Sequence, residues 1–300
     1  MIFIYRKIKK YKRGQNFWCL GMIKKKITQI ERPFICATLF YRDKLSTMRV
    51  MKVSELKGAK AFELNLLPLG NIDKEDLKDI FAFTEKPVFT TLRRSGPVAP
   101  EGTIIKFHGT EEERMKRQLE ALELGSNGFD MELDTFDPSP TPTQITYNED
   151  AIKKQEEIID KAHELGGEVM ISCHKFDTVL KAEEAVKIGK IIEERGADMA
   201  KIVCMNRSYD DTIETLRGIV MLKRELKIPF VYFGMGEYSK LTRVMGPMLG
   251  SMLVYCTLEK IPSSFLWHQP LIENMNAVFS NVDWSVTMVG REERLWKTKP

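Results

Sequence analysis

Short apolar runs alternate with amphipathic stretches along this chain from residue 33 onward. Eight of the runs are rich in valine, isoleucine and phenylalanine and are largely uninterrupted by polar residues. Continuous apolar runs of this length are typical of strands that are covered on both faces, as in a parallel sheet. The predicted strands are residues 33–40, 59–67, 87–92, 128–133, 168–174, 199–205, 229–235 and 251–258.

Helical patterns fill most of the intervals between these strands. Thr110 followed by Glu113 forms a capping box, which predicts a helix that runs through Leu124. Within residues 182–192, small and apolar residues share one helical face and charged residues share the other. Residues 210–226 repeat this design.

The alternation of eight strands with seven or eight helices predicts the α/β class with a parallel sheet. Within about 270 residues, the most economical closure of such a sheet is a (β/α)8 TIM barrel. The alternative is an open doubly wound sheet. No GxGxxG sequence follows the first strand, so a dinucleotide site is not indicated, and we expect no cofactor.

The charge distribution divides the chain into a basic head and a mildly acidic body. Residues 1–26 hold nine lysines and arginines and no acid, so residues 27–300 carry a net charge of −5. An acidic body argues against nucleic acid as a partner. No apolar run approaches the roughly 18 residues that a membrane span needs, so we expect no membrane partner. We expect three parts: a disordered leader (1–30), a single catalytic barrel (31–290) and a tail (291–300).

The five cysteines are odd in number and form no CxxC pair. Most of them lie in apolar, strand-like runs, which favours a reducing, cytoplasmic location. No cluster of cysteine and histidine has the spacing of metal ligands, so we expect no metal.

A long proline-containing stretch, residues 134–150, breaks the alternation of strands and helices. A loop of this length in a compact domain is usually a lid, a binding loop or disordered. It follows a strand, so in a barrel it lies on the face where active sites are built.

Polar residues near the carboxyl ends of the predicted strands are the candidates for chemistry, because active sites of such barrels lie at that end. Each has a structural explanation when it is taken alone, such as a salt-bridged pair, a solvated turn or a lysine that extends to solvent. Together they would bring one amine, one imidazole, several carboxylates and two guanidinium groups to one opening. The set comprises Glu63, Arg93, Asp130, Glu132, His174, Lys201 and Arg243.

This combination suits catalysis through an imine. Lys201 lies in the apolar run GADMAKIVCM, and a lysine that is desolvated beside another cation has a lowered pKa and is nucleophilic. It can attack a ketone, and the resulting iminium acidifies the adjacent C–H bond. A histidine can then act as base and later as acid, while arginines hold a carboxylate.

Several sequence motifs, in order, resemble those of the type I 3-dehydroquinate dehydratase family. The resemblance covers about residues 33–270. Its motifs are FELNL (62–66), FTTLRRS (89–95), FDMELD (129–134), ISCH (171–174), GADMAKI (196–202), MGEYSKLTRVMG (235–246) and LGSMLVY (249–255).

This resemblance implies a (β/α)8 lyase that acts on a small keto acid, needs no cofactor and forms a homodimer. It also implies roles for the residues that match the family's motifs. Lys201 would form the imine with the C3 ketone, and His174 would remove the C2 proton and help to expel the C1 hydroxyl. Arg243 would bind the substrate carboxylate. The further substrate contacts would come from Glu63, Arg93, Asp130, Glu132, Ser264 and Gln269.

The chain also departs from the family's pattern. Asn65 stands where the family usually has an arginine, and Lys175 follows the histidine. The stretch SSFLWHQP (263–270) lacks the Pro-Gly of the family's closing segment. Two alternatives therefore stay open: a class I aldolase-like enzyme that acts on a related keto acid, and a non-catalytic barrel that serves as a binding module.

Overall fold

Eight parallel strands, alternating with helices, curve into a nearly closed barrel. The computed structural model describes residues 25–98, 103–138, 145–260 and 265–282. The strands of the barrel are β1 (Phe34–Leu39), β2 (Ala61–Asn65), β3 (Val88–Thr91), β6 (Gly128–Glu132), β7 (Glu168–Lys175), β8 (Met199–Met205), β9 (Phe230–Met235) and β10 (Leu253–Cys256). The predicted (β/α)8 TIM barrel is confirmed, and each strand ends within two residues of the predicted run.

The strands are paired in the order β10-β1-β2-β3-β6-β7-β8-β9, and every pair is parallel. The two ends of this sheet meet where the Met252 N–H donates to the Phe230 carbonyl at 2.8 Å. The helices cover the outside. They are α1 (Lys44–Leu56), α2 (Lys74–Ala82), α3 (Glu111–Leu124), α4 (Glu149–Glu164), α5 (Ala182–Glu194), α6 (Tyr209–Glu225), α7 (Lys240–Leu249) and α8 (Ile272–Asn281).

The lower part of the barrel interior is apolar. Alternate residues of a strand point to the same side, and the inward residues of the lower layer form one buried cluster that includes Ala61, Phe89, Met170 and Met199. The inward positions two residues further along the same strands carry the polar groups. The barrel therefore has an apolar floor and a polar upper half.

A short 3-10 helix, Ile27–Gln29, covers the floor of the barrel. The Ile27 side chain is fully buried in the cluster of the lower layer. The carboxylate of Glu168, at the start of β7, accepts hydrogen bonds from the Ile27 N–H at 2.5 Å and from the Thr28 hydroxyl. Residues 1–24 of the predicted leader and the predicted tail lie outside the described residues.

Two features lie on the opposite face, at the carboxyl ends of the strands. The first is an antiparallel hairpin, β4 (Ser95–Val98) with β5 (Thr103–Lys106), which the sequence pattern did not predict. The second is the long segment after β6, whose residues 139–144 lie outside the described residues. The Arg195 guanidinium holds this segment, because it donates to the carbonyls of Leu133 and Thr146.

Thr110 caps α3 as the sequence predicts. Its hydroxyl accepts from the Glu113 N–H at 3.2 Å, and the Glu113 carboxylate accepts from the Thr110 N–H at 2.8 Å. Among the helices described, none combines the length and the apolar character that crossing a membrane requires.

Candidate active site

A cavity of about 350 Å³ opens at the carboxyl ends of the barrel strands. It brings together most of the polar residues that the strand-end pattern singled out, because the strands carry their last inward-facing residues to this opening. Its wall includes Glu63, Arg93, Glu132, His174, Lys201, Arg243 and Gln269. Asp130 lies behind this wall, where it is bonded to two of these side chains. Ser264 lies outside the described residues.

Lys201 projects from β8 into the polar upper half of the barrel and is 4% exposed. Its Nζ donates to Glu63 Oε1 at 2.9 Å and to Asp130 Oδ2 at 3.0 Å. The same nitrogen lies 4.5 Å from the centre of the Tyr255 ring. The amine is therefore buried and is held in one place from three sides.

The expectation that the strand setting favours a neutral lysine is wrong for the free enzyme. Burial alone would lower the pKa of Lys201, but the carboxylates of Asp130 and Glu63 outweigh it and raise that pKa above its usual value. The sequence predicted the apolar neighbours along the strand. It also placed Glu63 and Asp130 at the same opening, but it did not reveal that both carboxylates bond directly to the amine.

His174, at the end of β7, contacts the guanidinium of Arg93. Its Nδ1 and Nε2 lie 3.1 Å and 3.0 Å from the two terminal nitrogens of Arg93. Burial, Arg93 and Lys201 all lower the pKa of His174 well below 6.5. The imidazole is therefore neutral at neutral pH and can accept a proton.

Arg93 also links the imidazole to the carboxylates of β6. It donates to Asp130 Oδ2 at 3.1 Å, and its other terminal nitrogen lies 3.7 Å from Glu132 Oε1. On the far side of Glu132, the fully buried Arg114 donates to Glu132 Oε2 and to the Leu92 carbonyl. Positive and negative groups thus alternate from the amine to helix α3.

Sequence reasoning missed Arg114, although a signal for it existed. Arg114, Gln118 and Ala121 share the buried face of α3, as the helical spacing of three to four residues requires. A charged residue on such a face needs a buried partner, and Glu132 is that partner.

Arg243, in the first turn of α7, is a buried cation that lines the cavity and has no carboxylate partner among the described residues. It is 6% exposed, and its guanidinium lies 4.2 Å from the centre of the Phe233 ring. Its Nε has no hydrogen-bond partner in the part of the chain that the structure describes. Burial lowers the pKa of Arg243 to about 10. A buried, unpaired guanidinium on a cavity wall is suited to bind an anion.

Gln269 lines the same cavity as this cation. It follows the 3-10 helix Phe265–His268 and is 7% exposed, and its Oε1 atom accepts no hydrogen bond from any described residue. Phe233 and Tyr255, which pack edge to face at 6.1 Å between their ring centres, separate Arg243 from Lys201. The cavity thus combines a reactive amine and an anion site across an aromatic wall.

Comparisons with known proteins agree with this geometry. The family model described as type I 3-dehydroquinase matches residues 35–281. A 3-dehydroquinate dehydratase of Methanosarcina mazei is 31% identical over 226 residues, which are 72% of this chain and 83% of that protein. The corresponding protein of Methanopyrus kandleri is 30% identical over 206 residues, 68% of this chain and 80% of its own.

Solved structures show the same fold. The 3-dehydroquinate dehydratase of Geobacillus kaustophilus superposes with a TM-score of 0.70 at 21% identity, covering 87% of this chain and 97% of its own. A type I enzyme of Clostridium difficile superposes with a TM-score of 0.68 at 20% identity, covering 86% of this chain and 97% of its own.

Proposed function

Because this chain belongs to the type I 3-dehydroquinase family, we infer that it is a 3-dehydroquinate dehydratase. It is a lyase that removes water from 3-dehydroquinate to give 3-dehydroshikimate in the shikimate pathway, through an imine on a lysine. The observation that carries the assignment of residues is the cavity itself. One buried amine, one neutral imidazole and one unpaired guanidinium face the same small volume.

Lys201 is the nucleophile of this proposal. Its amine is buried at the carboxyl end of the barrel and is held by Glu63 and Asp130. Either carboxylate lies at the right distance to take the proton that the ammonium must lose before it attacks. The neutral amine then adds to the C3 ketone, and loss of water gives the iminium.

His174 is the general base and, later, the general acid. Its imidazole is neutral in the free enzyme because burial and Arg93 disfavour the charged form. It takes the C2 proton, which the iminium has acidified, and electrons move to form the enamine. The C1 hydroxyl leaves as water when the same imidazolium returns the proton. Water then hydrolyses the conjugated iminium, which frees the product and Lys201.

Arg243 binds the carboxylate of the substrate in this proposal. A buried guanidinium without a partner gains most from a ligand that supplies the missing negative charge. Its support comes from the unpaired Nε and from the position of Arg243 across the aromatic wall from Lys201. Gln269 adds a neutral polar contact beside it, and we retain Ser264 as a predicted contact of the same segment.

Glu63 and Arg93 have both a structural and a substrate-binding role here. Glu63 accepts a hydrogen bond from the ammonium of Lys201. Arg93 donates to Asp130 and contacts the imidazole of His174. The ammonium donates separate hydrogen bonds to Glu63 and to Asp130, whereas the iminium keeps a single N–H and can donate to only one carboxylate. Glu63 and Arg93 are then available to ring hydroxyls, while Asp130 and Glu132 keep Arg93 in place.

A direct assay tests this function. Purified protein should convert 3-dehydroquinate to a product with the absorbance of a conjugated enone. Lys201→Ala should lose at least a thousandfold in kcat/KM, because no other lysine among the described residues lines the cavity. Lys175→Ala removes a lysine at the end of β7 that takes no part in the proposal, and it should keep normal activity. Equal turnover by Lys201→Ala and the wild type would refute the assignment.

We also propose that the protein is a cytoplasmic homodimer. The described cysteines, Cys36, Cys173, Cys204 and Cys256, are buried and form no disulfide with one another, which supports a reducing location. Light scattering on the eluting peak of a gel-filtration column measures the mass, which should be twice that of the 34.6 kDa chain. A peak at the mass of one chain would contradict the dimer.

A further inference from the structure

Asn65 and Thr91 form a polar pair on the cavity wall that the proposed mechanism does not use. Asn65 is the last residue of β2, and Thr91 is the last residue of β3. The two are direct neighbours in the parallel pairing of these strands. Both line the cavity, and they are only 5% and 4% exposed.

The amide of Asn65 has a defined orientation. Its Oδ1 accepts a hydrogen bond from the Leu67 N–H at 3.0 Å. A backbone N–H can only donate, so the carbonyl end of the amide must face it and the NH2 end must face away. No described residue accepts a hydrogen bond from this NH2 group. It is therefore a free donor at the cavity wall.

The hydroxyl of Thr91 complements this donor. It lines the same cavity, and in the part of the chain that the structure describes no group is hydrogen-bonded to it. A hydroxyl can both donate and accept. The neighbouring pair can therefore give one hydrogen bond to a ligand oxygen and accept one from the hydrogen on that oxygen.

We propose that Asn65 and Thr91 form a subsite for a neutral alcohol of the ligand. The ligand hydroxyl accepts from Asn65 Nδ2 and donates to Thr91 Oγ1. A carboxylate has no hydrogen for Thr91 to accept, so it could use only the Asn65 donor and not both members of the pair. The subsite is thus selective for an alcohol over an anion.

The position of this subsite suits a ring substrate that is attached to Lys201. Two residues along a strand span about 6.5 Å, and Glu63, which binds the Lys201 amine, precedes Asn65 by two residues. The pair therefore stands one level nearer to the opening than the residue whose carboxylate binds the amine. The inference rests on the proposed function: the hydroxyl is one of the two on the ring of 3-dehydroquinate that survive dehydration.

Two analogues of 3-dehydroquinate test the subsite, each lacking one of the two surviving hydroxyls. With one of these analogues, the kcat/KM of the wild type should be at least tenfold lower than with 3-dehydroquinate. This loss should come on top of any loss in kcat/KM that the wild type shows with the other analogue. Asn65→Ala and Thr91→Val should each lower the preference for 3-dehydroquinate over the first analogue about tenfold, the effect of one net hydrogen bond. Their kcat/KM for that analogue should stay close to the value of the wild type.

Thr38→Val is the matched control. Thr38 is 3% exposed on β1 and is paired with Glu63, one level below the Asn65 pair, and its hydroxyl has no hydrogen-bond partner among the residues described. It does not line the cavity. Replacing the hydroxyl by a methyl group at this position should leave the preference for 3-dehydroquinate over the analogue unaltered.

The outcomes separate the two proposals. A wild type that does not convert 3-dehydroquinate overturns the proposed function and this subsite with it. An active wild type whose preference is unchanged in both Asn65→Ala and Thr91→Val overturns the subsite alone. Thr91→Val keeps the shape of the side chain, so it tests the subsite even if Asn65→Ala fails to fold.

Discussion

Lys201 and His174 have opposite protonation states in the free enzyme, and neighbouring charges set both. Two carboxylates raise the pKa of Lys201, whereas burial and the adjacent guanidinium of Arg93 lower the pKa of His174. The free enzyme therefore holds an ammonium beside a neutral imidazole. Catalysis begins when the ammonium loses its proton, and the imidazole is ready to act as soon as the iminium exists.

Arg93→Gln tests the origin of the low pKa of His174. Removal of the guanidinium removes a positive charge that disfavours imidazolium, so the pKa of His174 should rise. The acid limb of the profile of kcat/KM against pH should move upward with it. NMR titration of the histidine ring signals, with His174→Asn to assign them, measures the pKa directly.

Arg94→Gln is the control for this measurement. Arg94 also lines the cavity, but it is bonded to Glu111 and Asp134 and does not contribute to the low pKa of His174. An unchanged pKa of His174 in Arg93→Gln, or an equal rise in both variants, would contradict this account of the site.

At the scale of single residues, the sequence predicts which groups converge but not how they pair. The barrel rule places the ends of the strands at one opening, and the structure brings Glu63, His174 and Lys201 together there. The pKa of the lysine depends on which carboxylates face it across the barrel. That depends on the register of β2 and β6 against β8, which local sequence does not contain.

At the scale of elements, Glu111 at the start of α3 joins the helix to the cavity. Its carboxylate accepts from both Arg94 and Arg114 and from the backbone N–H of Phe136. One side chain thus connects the helix, the end of β3 and the segment after β6. We expect this junction to fix the position of Arg114 and, through it, of Glu132.

Glu111→Gln should make the stability of the protein less dependent on pH. Burial alone would raise the pKa of Glu111, but the two arginines lower it from 4.5 to about 2. Between these values the unfolded chain binds more protons than the folded one, so the stabilisation is complete above pH 4.5 and is lost as the pH falls towards 2. We expect Glu111→Gln to lower the free energy of unfolding by about 2 kcal/mol at pH 7.

Urea unfolding of both proteins between pH 3 and 7 measures this effect, and the difference between them should shrink below pH 4.5. Glu112→Gln is the control, because Glu112 pairs with Lys154 on the exposed surface of the same turn, where ion pairs contribute little. A difference between wild type and Glu111→Gln that does not vary with pH would refute the assignment.

The elements differ in how well the sequence predicts them. The eight barrel strands are continuous apolar runs because both of their faces are covered, and the pattern locates them within two residues. The hairpin of β4 and β5 lies over the opening and contains Gly96 and Pro97. Among its described side chains, Ile105 packs against the apolar clusters while Ile104 is exposed, but each strand has only four residues, which is too short for a hydrophobic pattern to reveal.

At the scale of the whole molecule, the barrel divides stability and chemistry between its two ends. The floor is apolar and is closed by Ile27, while the polar groups of the cavity occupy the other end. This division agrees with the general behaviour of (β/α)8 enzymes, in which the loops after the strands carry function. Changes at the floor should therefore alter stability without altering the reaction.

Ile27→Ala tests this division. Truncation of a fully buried isoleucine should lower the free energy of unfolding by about 2–5 kcal/mol, while kcat and KM for 3-dehydroquinate should remain those of the wild type at a temperature where both are folded. Urea unfolding and steady-state kinetics give the two numbers. Ile30→Ala, a truncation at a partly buried position in the same segment, should lower the free energy of unfolding by less. Stability equal to the wild type would show that the segment is not part of the barrel.

The most direct test of the account is borohydride reduction during turnover of 3-dehydroquinate, followed by mass spectrometry of the peptides. The account predicts one added ligand mass per chain, on the peptide that contains Lys201, and none in Lys201→Ala. Turnover without any trapped adduct, or a label on another lysine such as Lys175, would contradict it.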